Sequence, residues 1–164
     1  MRVHLQVDGA EPLAKSLEER GQRLTGDLSP LLQAIAADWV THFQANIQEA
    51  GRGEVTWPAL RPATVHIRDY YGYGGADPRL IRGGDLLHSI QLLEASERSI
   101  VVGTRQTGSG GAAARILQDG GTATDKHGRT HDVQAFPFIF LTEQDYDDTL
   151  EQITTYFFGA LAGA

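Results

Sequence analysis

Apolar residues recur along the middle of the first half of the chain with a helical period. Leu31, Ile35, Trp39, Phe43 and Ile47 fall every four residues, flanked by Leu32, Ala36 and Val40. That spacing predicts a long amphipathic helix with a broad buried face, in which Trp39 and Phe43 are core residues. Ser29 is placed to cap it, Pro30 suits its first helical position, and the glycines of Gly51–Arg52–Gly53 suit its end.

The rest of the chain is read by the same rules. "VHLQV" (Val3 to Val7) alternates as a strand, "DG" turns, and "EPLAKSLEERGQRL" is a short helix with Pro12 near its start and Gly21 weakening its end. Residues 54–82 keep no period, which predicts a long loop with one short helix around Thr64 to Tyr70. "LLHSIQLLEA" alternates, with Leu86, His88, Ile90 and Leu92 on one side; with the turn "SERS" and the return "IVVGT" it predicts a hairpin. On this reading Gly83 and Gly84 let the loop turn into the strand, Leu86 and Ile90 face the core, and His88 is half-buried in the sheet.

"TGSGG" is then a flexible loop, "AAARILQDGG" a short helix stopped by glycines, and "TATDKHGRTHDVQA" a hairpin tip or mobile loop. Pro137 fixes the backbone between Phe136 and Phe138 on the way to a final helix. Thr142 is its cap, and Glu143, Asp145, Asp147 and Asp148 form a solvated acidic cluster favoured by the helix dipole. Tyr146, Leu150, Ile153, Phe157 and Leu161 make its apolar stripe, and residues 159–164 fray. The expected fold is a single α+β domain over residues 1–164. A small, mostly antiparallel sheet packs against the long helix and the C-terminal helix, with long mobile loops.

Composition narrows the function classes. The chain has 164 residues, 41% hydrophobic and 21% charged, as in ordinary globular proteins. It has no cysteine, so no disulfide scaffold, thiolate metal site or cysteine nucleophile. No apolar run is long enough for a membrane span, and no signal-peptide pattern opens the chain, so a cytoplasmic origin is expected. The net charge of −7 argues against stable sequence-specific nucleic-acid binding, which draws its affinity from clustered Lys and Arg.

No catalytic constellation stands out. After Gly83 and Gly84 comes Asp85, where a phosphate loop needs Lys then Ser or Thr. "GYGGAD" and "GSGGAA" lack the strand and third-glycine spacing of a dinucleotide fingerprint. His127 and His131, with Asp125 and Asp132 nearby, are metal-capable types on a polar loop without a rigid surround. His42 is read as a helix-edge residue. Asp147 and Asp148 are adjacent and diverge on a helix, and no Gly-x-Ser-x-Gly elbow occurs. No catalytic residue, metal or cofactor is therefore assigned. The alternatives are a small hydrolase or metal-dependent enzyme using carboxylates or His127 and His131, and a regulatory binding module.

The order of short motifs is more informative than any one of them. A long helix leads to "WPALRPAT" (Trp57 to Thr64), then "LIRGGDLLHSI" (Leu80 to Ile90), a hairpin ending "VVGT", an Ala-rich helix, "LQDGGTA" (Leu117 to Ala123) and "QAFPFIFLTEQD" (Gln134 to Asp145). This order resembles the phage virion morphogenesis family, the tail-completion proteins of Mu-like and related contractile-tailed phages. There a Trp-x-x-Leu-x-x-x-Thr segment precedes Ile-Leu-x-x-Thr-Gly-x-Leu-x-x-Ser-Ile, a Val-Gly-Thr or Val-Gly-Ser strand end, a His-Gln-x-Gly-like segment and Ala-Arg-Pro-Phe-Leu.

The resemblance spans roughly Leu28 to Leu161, with two departures. Gly83-Gly84 stands for Thr-Gly, and Phe136 stands where the family has Arg before the proline. If that Arg makes an inter-subunit ion pair in relatives, this protein must hold its neighbour differently. The resemblance implies a structural assembly protein of the virion neck or tail, made in the bacterial host cytoplasm. It would be monomeric when free and a homo-oligomeric ring in the virion, touching neck and tail-tube proteins, with no catalytic residues to carry over. Tyr70, Tyr71 and Tyr73 in the long loop, with Trp57 and Phe136, are the candidate partner contacts, because aromatic side chains add contact area at low entropic cost.

Overall fold

The computed structural model describes Lys15, Glu18, Glu19, Gly21, Gln22 and residues 26–75, 80, 84–106, 108–124 and 127–158. The expected strand at Val3 to Val7, Gly83, Leu161 and the tail 159–164 lie outside them. The order is α1 (Ser29–Gln48), α2 (Pro62–Tyr70), α3 (Asp85–Ser89), β1 (Ile90–Ala95), β2 (Ile100–Thr104), α4 (Gly108–Asp119), β3 (Gly121–Thr124), β4 (Thr130–Val133) and α5 (Glu143–Phe158). The class is α+β as expected, but the described strands form two separate two-stranded antiparallel sheets, β1–β2 and β3–β4.

The long helix runs as its apolar period requires. Leu31, Ile35, Ala36, Phe43 and Ile47 are buried on one face, and Trp39 and Val40 pack beside them. Its start differs from expectation. Ser29 is the first helical residue and not the cap; the Asp27 carboxylate accepts its N–H at 2.8 Å. Its end is a Schellman turn. Gly51 N–H reaches Asn46 O at 2.9 Å, while Ala50 takes φ 57° and Gly51 φ 102°. A Cβ on Gly51 would lie 2.1 Å from Val55 O, so only glycine fits there.

The segment "GGDLLHSI" is a short helix, not the first half of a strand. Gly84 sits at φ 82° just before α3, and β1 begins only at Ile90. Leu86 and Ile90 are nevertheless both buried, because residues four apart share a face in a helix as they do in a strand. His88 is exposed, because one helical turn rotates it away from the core. Ser89 then ties the start of the hairpin to its end. Its hydroxyl donates to Leu86 O at 2.7 Å and lies 2.6 Å from Thr104 Oγ1, while Ile90 pairs with Thr104. A bulge at Leu93 bends the hairpin, which packs on α1. The glycine-rich stretch expected as a loop is the first turn of α4, and the polar stretch after it is the β3–β4 hairpin.

The core closes on an extended segment that pairs with no strand among the described residues. Phe136 and Phe138 are buried, and Ile139 and Leu141 pack beside them. The backbone of this segment is satisfied by side chains. Asn46 Nδ2 donates to Phe138 O at 3.0 Å and Phe140 O at 2.9 Å. Gln118 Oε1 accepts the N–H groups of Phe138 and Ile139, each at 2.9 Å. The Trp57 indole donates to Pro137 O at 2.7 Å and stands edge-on to Phe136 at 5.8 Å.

Two substitutions test this core. Asn46→Leu keeps the bulk but strands two carbonyls, one buried and one partly buried, which predicts a loss of about 2–6 kcal/mol at about 1–3 kcal/mol per group. Phe43→Ala should cost about 3–5 kcal/mol through the cavity it opens. Denaturant unfolding reads both, and a midpoint unchanged from the parent would remove that residue from the core.

Candidate functional site

The most concentrated polar cluster lies where α5 begins. Thr142 and Asp145 form a reciprocal cap: the Thr142 hydroxyl accepts Asp145 N–H at 3.2 Å, and Asp145 Oδ2 accepts Thr142 N–H at 2.8 Å. Arg52, presented by the glycine turn after α1, grips the same carboxylate with two hydrogen bonds at 3.0 and 3.2 Å. His42 Nδ1 lies 2.9 Å from Asp145 Oδ1. Arg52 Nη1 also approaches His42 Nδ1 at 3.3 Å, but one ring nitrogen cannot donate to the carboxylate and accept from the guanidinium together. The shorter contact to an anion is the favoured one.

Asp145 is 1% exposed, so it is not part of a solvated acidic face as the helix-dipole reading expected. Burial pushes its carboxyl up. Hydrogen bonding to Thr142, the Arg52 guanidinium and the neighbouring His42 outweigh that and hold it below the ordinary carboxylate range. Two donors on each oxygen occupy all its lone pairs, which suits a clamp and leaves none to take a proton from a substrate. His42 is thus more than a helix-edge residue: with Arg52 it locks α5 onto α1. Thr149 extends the lock, donating to Asp145 O at 2.8 Å and accepting from the Trp39 indole at 3.1 Å. Gln152 donates to Asp38 one turn further on.

This polar seam decides which way α5 faces. Its inner side carries Asp145, Thr149 and Gln152, so the stripe expected to be buried points outward: Tyr146 is 57% and Leu150 60% exposed. Ile153 and Phe157 are half-buried. Between α1 and α5 an open groove of about 960 Å³ is lined by Pro30, Leu31, Ala34, Thr155 and Tyr156, with the acids Asp38, Asp148 and Glu151 at its walls.

The structure separates the aromatic contact candidates into two groups. Trp57 and Phe136 are buried against each other, so their rings are used within this chain's own core. Tyr70 and Tyr71 are 79% and 60% exposed, stacked edge to face at 5.2 Å. Tyr73 leans on Tyr71 at 6.1 Å. Their arm is braced from behind by Arg68, which donates to Gly75 O at 2.7 Å and Tyr73 O at 3.0 Å. Of the structural candidates, Gly84, Leu86, Ile90 and Phe43 are buried, while Pro137 and Trp39 are half-buried. His131 is on β4 and His127 in the turn before it, both exposed, and no group of three metal-capable side chains gathers among the described residues.

Sequence reasoning passed over Arg52, Asn46 and Gln118. Asn46 had a usable signal, an amide within the apolar stripe beside Phe43 and Ile47. Asp145 had another, since "TEQD" has capping-box spacing. Nothing local marks Arg52 or Gln118, whose partners lie far along the chain.

Comparison with known proteins gives one informative likeness. The chain is 28% identical over 155 residues to the Mu-like prophage FluMu G protein 2 of Haemophilus influenzae, covering 94% of this chain and 96% of that protein. No family model matches the chain. No solved structure matches it significantly.

The clamp predicts a pH dependence. The folded pKa of Asp145 is below its unfolded value, so the unfolded chain binds the proton more readily. The clamp's contribution is complete above the ordinary carboxylate range and is lost as pH falls through the depressed folded value. Asp145→Asn should destabilise by about 3 kcal/mol at neutral pH, the low end for a broken buried pair because Arg52 keeps some exposure. It should also flatten the acid limb of stability against pH. An acid limb as steep as the parent's would show that Asp145 does not carry it.

Proposed function

We propose that this chain is a structural assembly protein of a Mu-like phage or prophage, one that completes the tail or joins it to the head-side neck as a ring of identical copies. The observation that carries the reading is the end-to-end likeness to a Mu-like prophage protein, which spans nearly the whole of both chains. The ordered motifs shared with the virion morphogenesis family support the finer assignment.

Those motifs have structural work in this fold. "WPAL" and "AFPF" meet where Trp57 donates to Pro137 O, "LQDGG" meets the same segment through Gln118, and the Ser and Thr of "HSI" and "VVGT" meet at the hairpin. Residues that pin a scaffold rather than gather around a cleft suit a protein whose task is to present surfaces. The exposed tyrosines of α2 and the outward stripe of α5 are such surfaces. The partners would be copies of this chain and the neck and tail-tube proteins, and the place the virion. A net charge of −7 suits a part that lies near passing DNA without gripping it.

Deleting the gene from its phage or prophage should leave lysates with unjoined heads and tails and no infectious particles, restored by the chain supplied in trans. Electron microscopy and plaque titre read both outcomes. Normal virions in the deletion would overturn the assembly role.

A further inference from the structure

The apolar core stops short of the last helix. Its cluster runs from Phe43 and Ile47 through Trp57, Leu86 and Ile90 to Phe136 and Phe138, and Leu141 is the last described residue packed against it. Asp145 is the only buried residue of α5. Ile153, Tyr156 and Phe157, the least exposed apolar side chains of that helix, are half-buried. α5 packs chiefly on α1, and a polar seam joins it to α1 and the turn that follows. Arg52 and His42 hold Asp145, the Trp39 indole holds Thr149, and Gln152 holds Asp38.

We propose that α5 is a hinged strap that leaves the body as one unit while the core stays folded, with the Arg52–Asp145 pair as its latch. The hinge falls between Leu141 and Thr142. Leu141 packs on the core and Phe140 O is held by Asn46, whereas Thr142 belongs to the cap of α5 and moves with it. A segment with few buried apolar contacts opens at less cost than the core it lies on. Opening here breaks side-chain hydrogen bonds whose groups water can satisfy, so the net cost of each is small. Asp145 regains its hydration on release, which offsets part of what the clamp holds. Off the body, a helix of 16 residues is marginal in water, so α5 melts as it leaves and its amides exchange together. Release uncovers the side of α1 that carries Asp38 and Trp39. The strap is a property of the free chain and does not depend on the assembly reading.

Amide hydrogen exchange of the isolated protein, read residue by residue, tests the strap with two kinds of variant. Ile90→Val weakens the core in the closed and open forms alike. It should speed the amides of residues 43–47 roughly two- to tenfold through global unfolding and leave those of residues 147–156 at the parent's rate. Arg52→Ala weakens the closed form alone and should speed residues 147–156 together, roughly ten- to a hundredfold. Arg52→Lys keeps the charge without the two-pronged grip and should move the same amides less, which serves where Arg52→Ala does not fold. In low urea the α5 amides of the parent should respond only weakly, because opening the strap exposes little surface.

Acceleration of residues 147–156 by Ile90→Val, in step with the core, overturns the strap, because α5 then opens only with the whole fold. α5 amides unmoved by both Arg52 variants overturn it in favour of simple fraying from the C-terminal end, which never breaks the clamp.

Discussion

The fold depends on one segment whose backbone has no neighbouring strand among the described residues. The stretch from Phe136 to Leu141 passes through the core, where a bare carbonyl or N–H costs on the order of 1–3 kcal/mol. Asn46 from α1, Trp57 from the following loop and Gln118 from α4 each supply side-chain partners to it. Three parts of the chain are thereby joined through one strip of backbone. Asn46 is fully buried and keeps its own Oδ1 without a partner among the described residues, so its two donated bonds are held at some expense. That a buried amide sits inside an otherwise apolar helix face is explained by the carbonyls it serves.

The same logic governs the last helix. An apolar stripe would normally decide which side of α5 is buried. Here four donors on the Asp145 carboxylate, with Thr149 and Gln152 further along, set the helix polar side inward. A satisfied buried ion pair contributes less net stability than good apolar packing, yet it specifies one orientation. The consequence is a set of large apolar side chains left at the surface, Tyr146 and Leu150 among them, beside an unbroken acidic flank. The orientation imposed by the clamp and the apolar surface it leaves exposed are therefore one feature seen from its two sides.

The sequence by itself determined the local elements: the long helix from its four-residue period, the hairpin from "SERS" between apolar runs, the Thr142 cap, the short helix near Tyr70 and the α+β class. Each depends on residues within a few positions of one another. It also placed Leu86 and Ile90 in the core while misreading α3 as strand, because a spacing of four satisfies both periods. Only the tertiary structure decided which face of α5 is hidden, that Asp145 is buried, and that Trp57 and Phe136 pack inward while Tyr70 and Tyr71 stay outside. Those outcomes turn on Arg52 meeting a carboxylate 93 residues away and Asn46 meeting carbonyls 92 and 94 residues away. Pattern along a chain reports average preference for burial. It carries no record of a distant hydrogen-bond partner that makes burial of a polar face the lower free-energy choice.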